Sequence, residues 1–232
     1  MRQGLGWWGC YCKIKNENMK DSRLIELNTY DSEDIDDVLI KIKKSFGLKF
    51  ERNEFAHVKT FGDIYDVISA KIKGEDVLDC TTQQAFYKLK EAIHQVRGNE
   101  IQIFPTTRLD SLFPKKDRKP ALRRIENDLG QRLNILGPKN YIKVIIFILI
   151  IASLVEFFFN WKYALYGLGF SVAAGKVAGW LGKEFEVKTI EDVVKKMVTG
   201  NYRKSRRHPA TVNRKEIDGL VMALFNDAFG FE

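Results

Sequence analysis

The sequence predicts an all-α protein, in which a small helical cytosolic domain is joined to a two-helix transmembrane hairpin. Apolar residues recur at helical spacing in each regular segment, and no segment shows the alternation of a convincing strand. The stretch 141–182 is too long and too apolar for a buried core helix. With 232 residues, the chain has room for one ordinary domain or two small ones.

Five segments are expected along the chain. Residues 1–30 are expected to be a disordered tail, because their short, tryptophan-rich apolar part fits no export signal. Residues 31–98 form the helical domain, and 99–140 form a basic linker with a short juxtamembrane helix. Residues 141–182 form the hairpin, and the helices of 183–232 are expected to complete the cytosolic domain.

Capping signals place the helices of the cytosolic domain. The first is expected from Asp31 to Phe46, with acidic residues in its first turns, lysines in its last turn and Gly47 after it. The second begins at the N-cap Thr60, with Asp63 three residues on, and the third covers about 82–96. Two further helices are expected, at 120–129 and from residue 213 onward.

A short string of residues occurs twice. "FEVKTIEDVVKKM", after the hairpin, echoes "FAHVKTFGDIYDVI", before it: each has a Phe, then Val-Lys-Thr, then an acid three residues after the threonine. Chance similarity of two capped amphipathic helices is the alternative explanation. The shared lead-in favours a related structural role for the two segments.

The hairpin is predicted from an apolar stretch that Asn160-Trp161-Lys162 interrupts near its middle. Each half has about 18 residues and can just cross a hydrocarbon core of roughly 30 Å. Amphipathic aromatic residues mark the two interfaces, with Trp161, Tyr163 and Tyr166 at one and Tyr141 and Trp180 at the other.

Small residues recur every four positions in the second half of the hairpin: Gly167, Ser171, Gly175 and Gly179. Such a stripe allows two helix backbones to approach closely in lipid. We expect it to pack on the first helix of the same hairpin, with a homodimer through the stripe as the alternative.

Charge sets the expected orientation and location. Basic residues flank the hairpin on both sides, and only Lys162 lies in the turn. The positive-inside rule then places both termini in the cytosol and the protein in a bacterial-type inner membrane, with two spans. Glu156 and Lys176 lie near the ends of the apolar segments, so we favour snorkelling over a transport role for both.

The stretch "YDSEDIDDVL" and the segments after it resemble an acyl carrier protein. Asp31-Ser32 precedes a helix that ends at Phe46, and an apolar residue, the segment "ERNEFAHV" and the helix "TFGDIYDVISAKI" come next at similar spacing. The resemblance covers about residues 31–72. It implies a four-helix carrier-like fold with phosphopantetheine attached to Ser32, next to Asp31.

The chain also departs from the carrier pattern. Glu33 stands where the family has a leucine, and no first helix precedes Asp31. The C-terminal segment "RKEIDGLVMALFNDAFGFE" looks like that missing helix, so the two ends of the chain could assemble one permuted domain. A second string, Asp110-Ser111-Leu112, matches the motif by letters, but Pro114 and Pro120 interrupt the helix that it should open.

For Ser32 we favour a structural role over a prosthetic group. Asp31 can cap the helix with Asp34 at the third position, which leaves Ser32 in the exposed first turn. No cofactor is therefore expected, and phosphopantetheine on Ser32 is the alternative.

The remaining patterns narrow the function classes. We expect no enzyme, since the chain has no phosphate-binding glycine loop, nucleophile elbow or histidine-rich metal motif. The basic cluster in "NYRKSRRHP" favours lipid contact over nucleic acid. The partners expected are a lipid bilayer and an unknown protein, so we predict a non-enzymatic membrane adaptor or protein-interaction module. A tethered acyl carrier and a membrane-bound immunity partner of a toxin are the alternatives.

Overall fold

The computed structural model describes residues 23–51 and 53–230, without the side chain of Asp227. Most of the expected N-terminal tail therefore lies outside the described residues. Within these ranges the chain is mostly helical, which confirms the all-α prediction. After a short 3₁₀ turn at Leu27–Thr29, the helices are α1 (Ser32–Phe46), α2 (Phe61–Lys71), α3 (Thr81–Arg97), α4 (Leu109–Leu112), α5 (Arg118–Leu129), α6 (Asn140–Glu156), α7 (Trp161–Leu181), α8 (Ile190–Gly200), α9 (Tyr202–Ser205) and α10 (Arg214–Phe229).

In the part of the chain that the structure describes, four strands of two residues each join distant segments, and the sequence pattern did not predict them. Strand β1 (Glu75–Asp76) pairs in parallel with β4 (Thr211–Val212). Strand β2 (Leu136–Gly137) pairs antiparallel with β3 (Glu184–Phe185) at the two ends of the hairpin. Two residues are too few to carry a period-two hydrophobic pattern, which explains why they were missed.

The chain divides into two compact units. Of the described residues, the first unit contains those up to Ile101, Asp128–Gln131 and those from Val194 onward. The second unit contains Gln102–Asn127 and Arg132–Val193. The two ends of the described chain therefore belong to the same unit.

The core of the first unit forms where α10 packs against α1 and α2. Helix α1 buries Val38, Ile42 and Phe46, which are four residues apart and so lie on one helical face. The ring of Phe61, at the start of α2, lies 4.9 Å from the ring of Phe225 in α10. The C-terminal helix therefore packs on α1 and α2 in the same unit, and the permuted carrier-like domain stays a prediction.

The core of the second unit includes part of the segment that we interpreted as a basic linker. Leu109, Phe113, Leu122 and Ile125 are buried there, although the segment as a whole is basic. Arg118 is also buried, and its guanidinium donates to the carbonyl oxygens of residues 113 and 183 and pairs with Asp110 and Glu184.

Helices α6 and α7 form a helical hairpin, as expected from the interruption at Asn160. The Asn160 side chain caps α7 by accepting a hydrogen bond from the backbone N–H of Lys162 at 3.2 Å. At the base of the hairpin, Gly182 lies directly against Gly137: a Cβ on Gly182 would stand 2.3 Å from the Gly137 carbonyl carbon. A glycine is required at this crossing because the two backbones leave no room for a side chain.

The prediction of two membrane-spanning helices is not supported. Among the described residues, no helix combines the length and the apolar character that a membrane crossing requires. Helix α6 has 17 residues, so it is about 25 Å long, and α7 includes Lys162, Lys176 and several glycines. The sequence estimate of the spans included turn residues that the structure leaves outside both helices.

The two echoed strings adopt the same local structure. Thr60 and Asp63 cap α2 reciprocally, and Thr189 and Asp192 cap α8 in the same way. Each threonine also forms an antiparallel bridge, Thr60 with Glu26 and Thr189 with Arg108. The shared lead-in therefore corresponds to one supersecondary motif that both strings adopt.

Candidate functional site

Ser32 lies at the exposed N-terminus of α1. The helix begins there because Asp31, in an extended conformation, accepts a hydrogen bond from the backbone N–H of Glu33 at 3.1 Å. The cap thus bonds to Glu33, the second residue of the helix, whereas the sequence suggested Asp34, the third. Ser32 is the first helical residue, and its side chain is exposed, as expected for the first turn.

A groove of about 560 Å³ lies between α1, the loop that follows it and α2, and Ser32 stands at its edge. Most of its lining is apolar, and the residues come from four parts of the chain. The apolar ones are Leu27 before α1; Ile35, Leu39 and Ile40 on α1; Phe50, Phe55 and Val58 in the loop; and Ile64 on α2. Three charged residues, Asp36, Lys43 and Glu51, also line the groove.

Sequence reasoning missed this groove. The residues on its loop side have no helical period, so no pattern assigned them to a face. The available signal was an excess of apolar side chains, Phe50, Phe55 and Val58, in a segment without regular structure.

The loop side of the groove is held by Lys71 at the end of α2. Its ammonium donates to the carbonyl oxygen of Lys49 at 2.6 Å and forms an ion pair with Glu54. It also lies 5.2 Å from the centroid of the Phe50 ring, which packs on Phe55 at 5.1 Å. The hydrogen bond from Lys71 lowers the pKa of Glu54 below its usual value. One cation therefore fixes both the backbone and the aromatic pair of the loop.

The α2 side is positioned by its cap. The Asp63 carboxylate accepts from the backbone N–H groups of Lys59 and Thr60, each at 2.9 Å, and these bonds lower its pKa. The Thr60 hydroxyl accepts from the N–H of Asp63 at 3.2 Å. Because the cap fixes where α2 begins, it fixes the position of Ile64 in the groove.

The arrangement can hold an apolar chain next to an exposed hydroxyl. A serine that only anchors a flexible arm needs no general base beside it, so the site needs no catalytic constellation. The residues present fit such an arm: the hydroxyl is accessible, and the adjoining groove is open and mostly apolar, with Asp36, Lys43 and Glu51 as its charged residues. Among the residues that the structure describes, no group of three or more His, Cys, Asp or Glu could hold a metal ion.

The second Asp-Ser-Leu string forms α4, a single turn. Its Asp110 pairs with the buried Arg118 and with Arg108 at 3.6 Å. The Ser111 hydroxyl donates to the Arg108 carbonyl oxygen at 2.7 Å. Both polar side chains of this string thus bond within the second unit.

Three residues of the small-residue stripe face α6. A Cβ on Gly167 would meet the Ser153 hydroxyl at 2.5 Å, and one on Gly175 would contact Ile146 at 3.9 Å. Ser171 is buried and donates to the Gly167 carbonyl oxygen at 2.8 Å. Gly179 has open space where a Cβ would stand. Gly167, Ser171 and Gly175 therefore lie on the side of α7 that packs on α6, and Gly179 does not; packing of the stripe in a membrane and the homodimer stay predictions.

The basic cluster of "NYRKSRRHP" is not a uniform charged surface. Arg206 is fully buried, and its guanidinium donates to Thr81 at 2.6 Å and to Tyr202 at 3.2 Å. It also forms an ion pair with Asp79. Burial raises the pKa of Tyr202 above its usual value. Arg206 therefore joins α9 to the start of α3 and contacts neither lipid nor nucleic acid.

Comparison with known proteins adds no family to this description: no protein-family model, no curated protein and no solved structure matches the chain. The resemblance to acyl carrier proteins stays a prediction from the residues.

Proposed function

We propose that this protein is a non-enzymatic, membrane-anchored protein whose first unit acts as a protein-interaction or adaptor module. The observation that carries the proposal is the surface of the hairpin. No residue of α6 is buried, and in α7 only Ala164 and Ser171 are. Apolar surface of this extent on a soluble monomer marks a contact with a partner or a membrane.

The distribution of the apolar side chains favours lipid over a protein groove. A partner protein would cover one face of the hairpin, and the remaining faces would then be polar. Large apolar residues are instead exposed around α6 and α7, and at the turn Phe157, Phe158 and Phe159 are 60%, 88% and 81% exposed. A bilayer surrounds an inserted hairpin on all sides.

The anchored state that we propose is a hairpin that enters a bilayer from one side. The pairing of β2 with β3 holds the start of α6 and the end of α7 together, so both lie at the same membrane surface. The turn with its three phenylalanines enters first. This form of anchoring needs no helix that crosses the membrane alone.

Flotation of the purified full-length chain with lipid vesicles tests the proposal. The wild type is expected to float with vesicles, and the variant F157D/F158D/F159D is expected to stay at the bottom of the gradient. These side chains are exposed, so the variant should keep its helical circular dichroism. The matched control is L24D/L78D/F104D, which changes three exposed apolar residues outside the hairpin and should float. A wild type that does not float would overturn the proposal.

A phosphopantetheine-bearing carrier is the second candidate, and the position of Ser32 at the edge of the apolar groove favours it. Ser32 Oγ would bond to the phosphorus of the pantetheine phosphate of coenzyme A. The bond from that phosphorus to the adenosine bisphosphate breaks, and the serine proton leaves to solvent. The bound arm supplies a thiol for a thioester, and the groove would shield the attached acyl chain from water.

Intact mass measurement after co-expression with a phosphopantetheinyl transferase tests this candidate. A carrier gains the mass of one phosphopantetheine arm, the S32A variant does not, and the control S111A does. An unmodified wild type would remove the carrier candidate and leave the adaptor proposal in place.

A further inference from the structure

We propose that the base of the hairpin binds the phosphates of anionic phospholipids through Lys119, Lys139, Lys143 and Lys183. This inference rests on the proposed membrane anchoring and adds the class of lipid that is bound. It is carried by the position of these lysines, since all four lie in the second unit where α6 begins and α7 ends.

Backbone positions place the four ammonium groups at one end of the hairpin. Lys139 is the N-cap of α6, and Lys143 lies in its first turn. Lys183 follows α7 by two residues, and Lys119 donates to the carbonyl oxygen of Trp180 in the last turn of α7. The other end of the hairpin carries the phenylalanine turn and only Lys162 and Glu156.

Aromatic side chains at the same end indicate the depth of the lysines. Tyr141 and Trp180 are exposed, and rings with one polar edge concentrate at the headgroup level of a bilayer. The Lys139 ammonium lies 5.5 Å from the Tyr141 ring centroid, and that of Lys119 lies 5.8 Å from the Trp180 ring. If the rings reach the headgroups, the ammonium groups reach the phosphates.

Nearby carboxylates leave a positive excess at the base. Glu184 pairs with Lys115 at 2.9 Å and contacts Arg118, while Glu186 pairs with Lys143 at 3.2 Å. Lys139 and Lys183 are exposed, and neither forms a direct ion pair among the described residues, although, after the hydrogen bond from Lys115, the charge of Lys139 helps to lower the pKa of Glu184. The net charge favours a surface with negative phosphates. A nucleic acid offers phosphates but no apolar layer for the adjoining hairpin.

Vesicle titration with two lipid compositions tests the inference. The wild type is expected to bind phosphatidylcholine vesicles that contain phosphatidylglycerol at least about tenfold more tightly than phosphatidylcholine vesicles, since each basic residue near an anionic surface contributes about fivefold. Added salt should reduce the preference.

Three variants identify the residues. K119Q/K139Q/K143Q/K183Q should lose most of the preference for vesicles with phosphatidylglycerol but should still bind phosphatidylcholine vesicles. The variant with arginine at the same four positions should keep the preference. The matched control K41Q/K44Q/K49Q/K59Q removes four exposed lysines of the first unit and should keep it as well. Equal wild-type binding to both vesicles, or an unchanged preference in the Lys→Gln variant, would overturn the inference. Failure to bind either vesicle would instead overturn the membrane proposal.

Discussion

Arg206 illustrates how far one residue can differ from the segment around it. Its neighbours Arg203, Lys204 and Arg207 are at least partly exposed, whereas its own guanidinium is fully buried. The partners Asp79 and Thr81 are more than 120 residues away in sequence. No local pattern could have distinguished Arg206 from Arg207, because burial here depends on where α3 packs.

The two arginines form a matched pair for mutagenesis. Arg206→Ala should reduce the free energy of unfolding by about 3–5 kcal/mol, because it leaves buried polar partners without their cation. Arg207→Ala should change it by no more than about 0.5 kcal/mol, since its side chain is exposed. Urea denaturation of both variants, followed by circular dichroism, measures the difference. R206K should recover part of the free energy that Arg206→Ala loses. Equal effects of Arg206→Ala and Arg207→Ala would contradict the structural role of Arg206.

Residues whose role is local could be predicted from the sequence. Asp31 caps α1, Gly47 ends it with φ +64°, and Thr60 with Asp63 caps α2. Each of these signals acts within a few residues of its own backbone. The sequence suggested Asp34 as the partner of the Asp31 cap, whereas the structure has the N–H of Glu33, since a cap can bond to either of two adjacent N–H groups.

At the scale of the element, the Thr-Asp cap that begins both α2 and α8 is visible in the sequence and present in the structure. The string Val-Lys-Thr with an acid three residues on produces the same kind of bridge and the same capped helix start at both of its occurrences. The bridges need residues 26 and 108, which no pattern within the repeated string identifies. The helix start was therefore predictable and its strand partner was not.

The capping carboxylate of α2 should make stability depend on pH. The pKa of Asp63 is lowered in the folded state from its ordinary 3.8. The carboxylate thus stabilises the fold above that value, and the stabilisation is lost as the pH falls through the lower folded pKa. D63N should be less stable than the wild type at neutral pH, and the difference should narrow as the pH falls below 3.8.

Urea denaturation from neutral pH to below 3.8 measures this dependence. D37N is the control, because it removes the same charge from an exposed position on α1. A gap between D63N and the wild type that stays constant with pH would contradict the proposed linkage.

The hairpin shows what apolarity alone can and cannot predict. The interruption at Asn160 correctly predicted two helices, because Asn160 caps α7. The apolar stretch suggested about 18 residues for each helix, whereas α6 has 17 residues and α7 has 21 in the structure. Residues 157–160 form the turn, so they do not lengthen either helix.

At the scale of the whole molecule, segments that are far apart in the described sequence pack together in the first unit. Tyr65 in α2 donates a hydrogen bond to Asp218 in α10. Burial, and to a smaller extent this hydrogen bond, raises the pKa of Tyr65 to about 12. The sequence suggested this assembly through the likeness of the C-terminal segment to a missing helix. It did not suggest the groove beside Ser32, whose loop side is defined by tertiary packing around Lys71.

The central claim is that the hairpin enters a lipid bilayer, and Trp161 beside the turn reports on it most directly. The other three tryptophans, Trp7, Trp8 and Trp180, are replaced by phenylalanine. Vesicles with brominated acyl chains are then expected to quench the fluorescence of Trp161, because the indole lies within reach of the bromine atoms. Addition of F157D/F158D/F159D to the same chain should abolish the quenching. Unquenched Trp161 fluorescence in the chain with the intact turn would contradict the claim.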